Sequence, residues 1–231
     1  MGSEMCIRDR VSWKKKFKNK NKRKPCYEDI KSKPEKQQLK EALLHEQKYL
    51  CCYCCNRISD DSSHIEHFVP QSKDSGLSLE YSNLHASCQG ENGDMKHCGH
   101  AKGNDYDKAL LISPLDKNCE KRFAYSVNGK IEPSDLSDQG AEYTIKLLAL
   151  NDERLKKARE EAMWTAGVFY AQGEKERETL IKQYSNPADG KRVPFCNAIL
   201  YQLRKDQESA GSKSVSYTHV RAHETLRHLV C

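Results

Sequence analysis

The segment HIEHFVPQS, residues 64–72, places Glu66 and His67 side by side, just before an apolar pair and Pro70. A glutamate can hold a divalent cation, and a histidine, with an ordinary pKa of about 6.5, can take a proton from water near neutral pH. These two side chains could therefore serve a hydrolytic reaction. A half-buried strand whose histidines are hydrogen-bonded for structure alone is the competing interpretation, and the flanking sequence has to decide between the two.

Cysteines precede this segment in CCYCC, residues 51–55, which contains two overlapping Cys-x-x-Cys pairs. A Cys-x-x-Cys turn lets two thiolates reach one Zn²⁺ at about 2.3 Å each, so a single ion can use only one of the pairs. We take Cys51 and Cys54 as the first pair, while Cys52 and Cys55 remain the alternative.

A second pair of ligands follows the segment. Cys88 and Cys98 enclose the nine-residue loop QGENGDMKH, and His97 is a substitute ligand. Disulfides are not expected in a reducing cytosol, and buried free thiols are the remaining alternative. We therefore expect one structural zinc held by Cys51, Cys54, Cys88 and Cys98.

The elements that must position these residues can be predicted in outline. Leucines 39, 43 and 50 recur at helical spacing after Pro34, which predicts a helix running into CCYCC. HIEHFVP is predicted as a strand, and residues 71–103 as a polar, glycine-containing stretch. Residues 109–133 are predicted as short strands (ALLISPL, RFAYSV and KIEP), the last two joined by Asn128-Gly129, a strong hairpin signal.

The chain is predicted to be helical from Ser137 onward. One helix is expected to start with Asn151 as its N-cap, with Leu150 and Leu155 as a hydrophobic staple, and to continue to about Gly173. Two more helices are expected over residues 174–184 and 194–205.

Positive charge is concentrated at the start of the chain. Residues 1–24 carry ten Lys and Arg against two acidic residues, whereas the whole chain has a net charge of +6, so the remainder is slightly acidic. Such a basic arm is usually a disordered, solvated tail, but it would also add salt-sensitive affinity for phosphates.

Both ends of the chain look foreign to it. Residues 1–10 and 214–231 resemble peptides translated from sequencing-adapter DNA, and we expect them to contribute neither core nor ligands. The sequence contains no apolar run of about 18 residues and no signal-peptide core, which leads us to expect no membrane contact and a cytoplasmic location.

Six segments in this order resemble the HNH endonucleases. Among these enzymes, the chain is most similar to the HNH nuclease that partners an ATPase in Septu anti-phage defence and in some retron systems. The resemblance covers residues 25–205 and is carried by HEQKYLCCYC, HIEHFVPQS, NLHASC, HCGHAKGN, ISPLDKNCEKRFAYSVNGKI and LLALNDERLKKARE.

The resemblance implies roles for the residues that match the family pattern. Glu66 stands at the place of the metal-binding acid and His67 at that of the general base. Asn83 is the middle asparagine, which in the family ties the loop between the two strands.

The third position of the family pattern departs from expectation. The family has His or Asn three residues before the lysine, but here Gly99 precedes Lys102 at that spacing and His100 follows one residue late. His100 is the candidate ligand of the catalytic ion together with Glu66, and Asn104 is the other candidate.

The resemblance also implies a reaction and partners. The expected activity is hydrolysis of nucleic acid to 5′-phosphate ends, with DNA as the preferred interpretation of the substrate. Mg²⁺ or Mn²⁺ is the expected catalytic ion. Lys102 is expected either to neutralise phosphate oxygens or to be a solvated surface lysine. For His64 a hydrogen-bonded structural role outweighs an auxiliary ligand role, and for Tyr53 packing outweighs base stacking.

The predicted fold class is α+β, with a zinc-stapled ββα-metal (HNH) core, a β-hairpin and an α-helical C-terminal half. The boundaries we expect are a disordered basic arm over 1–24, a nuclease domain over 25–135, a helical region that docks the ATPase over 136–213, and the foreign tail over 214–231.

Two other functions fit the same sequence. A zinc-binding adaptor of the ATPase without catalysis would keep the cysteines but would not need Glu66 and His67 together. A nuclease acting on RNA, such as tRNA, would keep every residue, because the 2′-OH is recognised by the shape of a pocket.

Overall fold

Residues 13–92, 95–171, 173–186 and 189–210 are described by the structure, which is a computed structural model. The two expected foreign segments, residues 1–10 and 214–231, lie outside these ranges. None of the helices in the described ranges is both long enough and apolar enough to cross a membrane.

Seven helices and three small antiparallel sheets make up the described part of the chain, so its class is mixed α and β. The helices are α1 (residues 13–21), α2 (Pro34–Glu46), α3 (Gly99–Lys102), α4 (Gln139–Leu147), α5 (Glu153–Thr165), α6 (Glu174–Ser185) and α7 (Cys196–Ala210). The strands pair as β1 (Ser63–His67) with β2 (Leu84–Cys88), β3 (Glu91–Asn92) with β4 (Met95–Lys96), and β5 (Phe123–Tyr125) with β6 (Ile131–Pro133).

Helix α2 delivers the chain to the cysteine turn. Pro34 occupies its first turn, and Leu39 and Leu43 are buried, as the spacing of the leucines predicts. Beyond its end, the buried Gln47 side chain accepts a hydrogen bond from the main-chain nitrogen of Ala86 (2.7 Å) and donates to its oxygen (2.8 Å). This amide therefore joins the end of α2 to strand β2.

Strands β1 and β2 form the hairpin that carries the candidate site. In their register Glu66 lies opposite His85, and His67 lies opposite Leu84. Because successive side chains of a strand point to opposite faces, His64 and Glu66 share one face of β1, while His67 belongs to the other face.

Helix α3 is a single turn that starts directly after Cys98. The backbone of Cys98 has a φ of +58°, which turns the chain into the helix. The β3–β4 hairpin, in a region that the sequence predicts as loop, lies between β2 and this helix.

The predicted hairpin of residues 123–133 is confirmed. Gly129, in its turn, has a φ of +75°, and a Cβ there would lie 1.9 Å from the main-chain oxygen of Lys156. Glycine is thus required because the turn packs directly against α5. The predicted strand ALLISPL is wrong, since residues 109–115 form turns and bends.

The start of α5 also differs from the prediction. Its N-cap is Asp152, whose carboxylate accepts from the main-chain nitrogen of Arg154. Asn151, the predicted cap, instead bonds both the nitrogen and the oxygen of Ile131 at 2.8 Å. The helix ends at Thr165, earlier than Gly173, whereas α6 lies where it was predicted and α7 begins two residues later and ends five residues later than predicted.

The described part of the basic arm contains a helix. Residues 13–21 form helix α1, with Trp13 packed against the core. Lys14 Nζ lies 3.1 Å from Glu80 Oε1, which brings α1 against the loop between β1 and β2.

Candidate metal centre and active site

Four thiols converge beside the β1–β2 hairpin. The Sγ atoms of Cys51, Cys54, Cys88 and Cys98 all lie within 4.8 Å of one another, and all four residues are buried. The turn of residues 51–55 supplies the first two thiols, the end of β2 the third, and the residue before α3 the fourth.

The cluster fits the dimensions of a tetrahedral zinc site. With zinc–sulfur bonds of about 2.3 Å, neighbouring sulfurs stand about 3.8 Å apart, and Cys54 Sγ and Cys88 Sγ are 3.8 Å apart. Burial raises the pKa of the Cys51 thiol, but hydrogen bonds from the surrounding thiols outweigh burial and hold it well below its ordinary value, whereas contacts within the cluster raise the pKa of Cys88, and burial and these contacts raise that of Cys98. A thiolate is the form that binds metal.

The alternative ligands take other places. Cys52 and Cys55 are buried in the hydrophobic core, and the cluster is built from the Cys51/Cys54 pair. His97 lies at the edge of the cluster, with Nδ1 3.1 Å from Cys98 Sγ and 3.7 Å from Cys88 Sγ.

Glu66 is buried in the hairpin, and contacts with His64 and Lys102 keep its carboxylate negatively charged. Its side chain is 8% exposed. Oε1 accepts from Lys102 Nζ (2.9 Å) and from the Tyr53 hydroxyl (3.2 Å). Burial raises the pKa of Glu66, but hydrogen bonds from His64 and Lys102 and the charge of Lys102 lower it below the ordinary value. The carboxylate is therefore ionised near neutral pH, and its second oxygen, Oε2, lies 3.5 Å from His64 Nε2.

Lys102 contradicts the expectation of a solvated or phosphate-binding lysine. Its side chain is 1% exposed. Besides Glu66, its ammonium donates to the main-chain oxygens of His67 (3.1 Å) and Gly103 (3.3 Å). All of its contacts point into the protein, so Lys102 joins α3 to the end of β1.

Tyr53 is the residue whose contact with the site the sequence did not reveal. It stands between the two cysteines of the turn, is fully buried, and donates its hydroxyl hydrogen to Glu66 Oε1. The same turn thus supplies two clustered thiols and one hydrogen bond to the candidate catalytic carboxylate. A tyrosine that is buried between candidate metal-binding cysteines needs a hydrogen-bond partner for its hydroxyl group. That requirement is the sequence signal that could have indicated this contact.

His67 lies at the end of β1 on the face opposite to Glu66. Its Nε2 is 3.0 Å from the main-chain oxygen of Ser78, and its ring meets the edge of Tyr27 at a centroid distance of 4.7 Å. A carbonyl oxygen can only accept, so Nε2 carries the hydrogen and Nδ1 of the neutral ring is unprotonated. Burial lowers the pKa of His67, which favours this neutral form.

Asn83 holds the loop between the two strands. Its Oδ1 accepts from the nitrogen of Val69 (2.7 Å), while Nδ2 donates to the oxygens of Val69 (3.1 Å) and Leu77 (3.2 Å). These bonds hold the loop between β1 and β2 closed. The loop contains Ser78, whose main-chain oxygen bonds His67.

His100 and Asn104, the two candidates for the third position of the family pattern, have different surroundings. The ring of His100 packs edge-on against the ring of His64 at a centroid distance of 4.6 Å. Asn104 is exposed beyond the end of α3. The structure therefore brings His100 to the side of the hairpin that carries His64 and Glu66.

Two curated proteins are similar to part of this chain. No family model matches the chain. Over 114 residues the chain is 32% identical to a Vibrio cholerae protein named as an inferred HNH endonuclease of retron Vc95, and this match covers 46% of the chain and 54% of the relative. Over 119 residues it is 31% identical to the Septu protein PtuB of Bacillus thuringiensis, with 49% and 41% covered.

The chain spans about half the length of the curated relatives it matches. The resemblance to the HNH proteins of retron and Septu systems, expected from the sequence, is confirmed by these two relatives.

Proposed function

We propose that this protein is a metal-dependent HNH endonuclease that hydrolyses phosphodiester bonds, with DNA as the substrate. It would act as the effector of a bacterial anti-phage system together with an ATPase. The observation that carries the proposal is the position, at the end of one strand, of a buried Glu66 carboxylate held by Lys102 and of a His67 ring held by the main-chain oxygen of Ser78. The homology to HNH and Septu proteins supports it.

The proposed core is the β1–β2 hairpin together with α3, in the manner of a ββα-metal fold. Its arrangement depends on the four thiols, because Cys98 directly precedes α3 and Cys51 and Cys54 flank Tyr53. A structural Zn²⁺ at the thiols would set the position of α3 against β1, and with it the bonds from Tyr53 and Lys102 to Glu66.

His67 is the proposed general base. Its Nε2 hydrogen is held by Ser78, so the ring is oriented and Nδ1 is available to accept a proton from the attacking water. An imidazole whose pKa is lowered by burial remains in the basic form at cellular pH.

Glu66 Oε2 and His100 are the proposed ligands of a catalytic Mg²⁺ or Mn²⁺. When bound, such an ion supplies positive charge to the phosphate oxygens and to the departing O3′. Lys102 holds Glu66 Oε1 on the inner side, so that the outer oxygen faces the substrate.

Substrate affinity is proposed to come in part from α1. This helix carries five lysines within residues 14–20 and lies against the loop that bonds His67. Because the rest of the chain is slightly acidic, these charges are the available phosphate-binding surface on that side of the site.

The helical C-terminal half is the proposed docking region for the ATPase. Two large aromatic side chains there are exposed: Trp164 (47%) and Tyr170 (66%). Their rings contact each other at a centroid distance of 5.7 Å. Exposed aromatic residues of this kind are enriched in protein interfaces.

The test is cleavage of plasmid DNA and of total RNA with Mg²⁺ or Mn²⁺, with and without the ATPase. His67→Ala should abolish cleavage while zinc content and folding stay as in the unmodified chain. His45→Ala, which changes an exposed histidine on α2, is the matched control. Cleavage by His67→Ala at near the unmodified rate would remove His67 as the base, and cleavage of RNA alone would change the substrate.

A further inference from the structure

His64 is placed beside Glu66 by the strand itself. The two residues are two positions apart in β1 and share one face. His64 Nε2 lies 3.5 Å from Glu66 Oε2, while Lys102 and Tyr53 bond the other oxygen, Oε1.

At 3.5 Å this pair is too far apart for a strong hydrogen bond, and a closing movement of about 0.5 Å would bring it to the spacing of two ligands of one cation. An N–H···O hydrogen bond is usually about 2.7–3.2 Å long. Two ligands on neighbouring positions of one octahedral ion, each at about 2.0–2.2 Å, stand about 3 Å apart. A small closing movement of either side chain would therefore place an ion between Nε2 and Oε2.

The other nitrogen of His64 argues against a purely structural role. Nδ1 is buried and has no hydrogen-bond partner among the described residues. A histidine kept only for the stability of the strand would be expected to have its buried nitrogens satisfied.

Gly99 makes room for this pair. A Cβ on residue 99 would lie 2.7 Å from both Glu66 Oε2 and His64 Nε2, which is closer than real Cβ contacts. The first residue of α3 therefore faces the gap between the two side chains, and the lack of a side chain there lets them meet.

His64 lies on the solvent-exposed side of the gap between His64 and Glu66. Its side chain is 26% exposed, against 8% for Glu66, and its ring packs against that of His100. A cation reaching Glu66 Oε2 would pass the two imidazoles.

We propose that His64 is a ligand of the catalytic divalent cation, which it binds through Nε2 together with Glu66 Oε2. This proposal rests on the proposed function and deepens it, because it adds a ligand to the same site. His64 then occupies the space in front of residue 99 that a side chain from α3 could otherwise fill.

The test is binding of Mn²⁺ to the zinc-loaded full chain, followed by electron paramagnetic resonance, with imidazole nitrogen couplings measured by the pulsed method. His64→Ala should weaken Mn²⁺ binding by at least about tenfold and remove the couplings of one imidazole. Glu66→Gln is the reference for loss of the site, and His45→Ala should leave affinity and couplings unchanged. If His64→Ala loses zinc or structure, His64→Gln decides by its couplings at unchanged zinc content.

The outcomes separate this proposal from the proposed function. Loss of Mn²⁺ binding in Glu66→Gln, together with unchanged affinity and couplings in the His64 variants, would overturn the ligand role of His64 and leave the nuclease site intact. A chain that binds no Mn²⁺, or binds it equally well after Glu66→Gln, would overturn both.

Discussion

Replacing Lys102 with methionine tests whether a buried ion pair joins α3 to β1. Lys102 and Glu66 are 1% and 8% exposed, and their charged atoms are 2.9 Å apart. Removing one partner of a buried pair typically costs about 3–5 kcal/mol, because the other charge stays desolvated. Glu66 would keep the Tyr53 hydroxyl and the nearby His64, so we expect the lower end, about 3 kcal/mol.

Urea unfolding of the zinc-loaded chain measures this cost. With a slope of about 2 kcal/mol per molar urea, a loss of about 3 kcal/mol moves the midpoint down by about 1.5 M. The double variant Lys102→Met/Glu66→Gln removes both charges and should be much more stable than the sum of the single changes predicts.

An exposed ion pair on α4 provides the control. Lys146 and Glu142 are 2.6 Å apart with side chains 74% and 54% exposed, and Lys146→Met should cost no more than about 0.5 kcal/mol. The buried pair does not hold α3 in place if Lys102→Met costs as little as Lys146→Met. The same conclusion follows if the cost of the double variant equals the sum of the costs of the two single changes.

The remaining predictions concern the thiols, the tyrosine, a helix cap and the arm. Cys54→Ser should lose zinc and folding together, whereas Cys119→Ser, a buried thiol outside the cluster, should keep its zinc; metal analysis distinguishes them, and a folded, zinc-free Cys54→Ser would refute the site. Tyr53→Phe should lower the unfolding free energy by about 1.5–3 kcal/mol, since its hydroxyl bonds a carboxylate, and an unchanged urea midpoint would contradict this. Arg122 lowers the pKa of Asp138 from 3.8 to about 2, so the stability from Asp138 is present above pH 4 and is lost as the pH falls toward 2. Asp138→Asn, which keeps a side-chain oxygen to cap α4, should therefore cost about 1 kcal/mol at pH 7 and less at pH 3, and equal costs at the two pH values would show that the charge plays no part. A chain lacking residues 1–24 should bind nucleic acid more weakly with a flatter salt dependence, by about 0.9 in slope for each lost phosphate contact, and identical slopes would mean that α1 does not touch phosphates.

The sequence alone was enough to indicate the residues of the candidate site. Cys-x-x-Cys spacing, the Glu66–His67 pair and the Asn128–Gly129 turn are properties of residues close together in the chain, and their chemistry depends little on the rest of the fold. The spacing of leucines in α2 likewise reflects the period of a helix. The cysteine cluster, the β5–β6 hairpin and the buried leucines of α2 were found where the sequence predicts them, while the roles of Glu66 and His67 stay predictions.

Local signals failed where a distant contact took over a side chain. Asn151 has the composition of a helix cap, but it bonds strand β6, twenty positions earlier in the chain, and Asp152 caps α5 instead. The lysine-rich α1 has the charge pattern of a solvated tail, yet its Trp13 packs against the hydrophobic core. Packing of this kind cannot be deduced from composition.

Only the tertiary structure decided how Glu66 is surrounded. Lys102 lies 36 positions later and looks like a surface lysine in sequence, because nothing local says that α3 turns its ammonium inward onto β1. Tyr53 and Gly99 acquire their roles for the same reason: one donates a hydrogen bond to the carboxylate, and the other leaves space for His64 beside it. The sequence determined which groups are available for chemistry, whereas the approach of α3 and the cysteine turn to one strand determined which of them meet, since burial and ion pairing depend on distances that chain order does not specify.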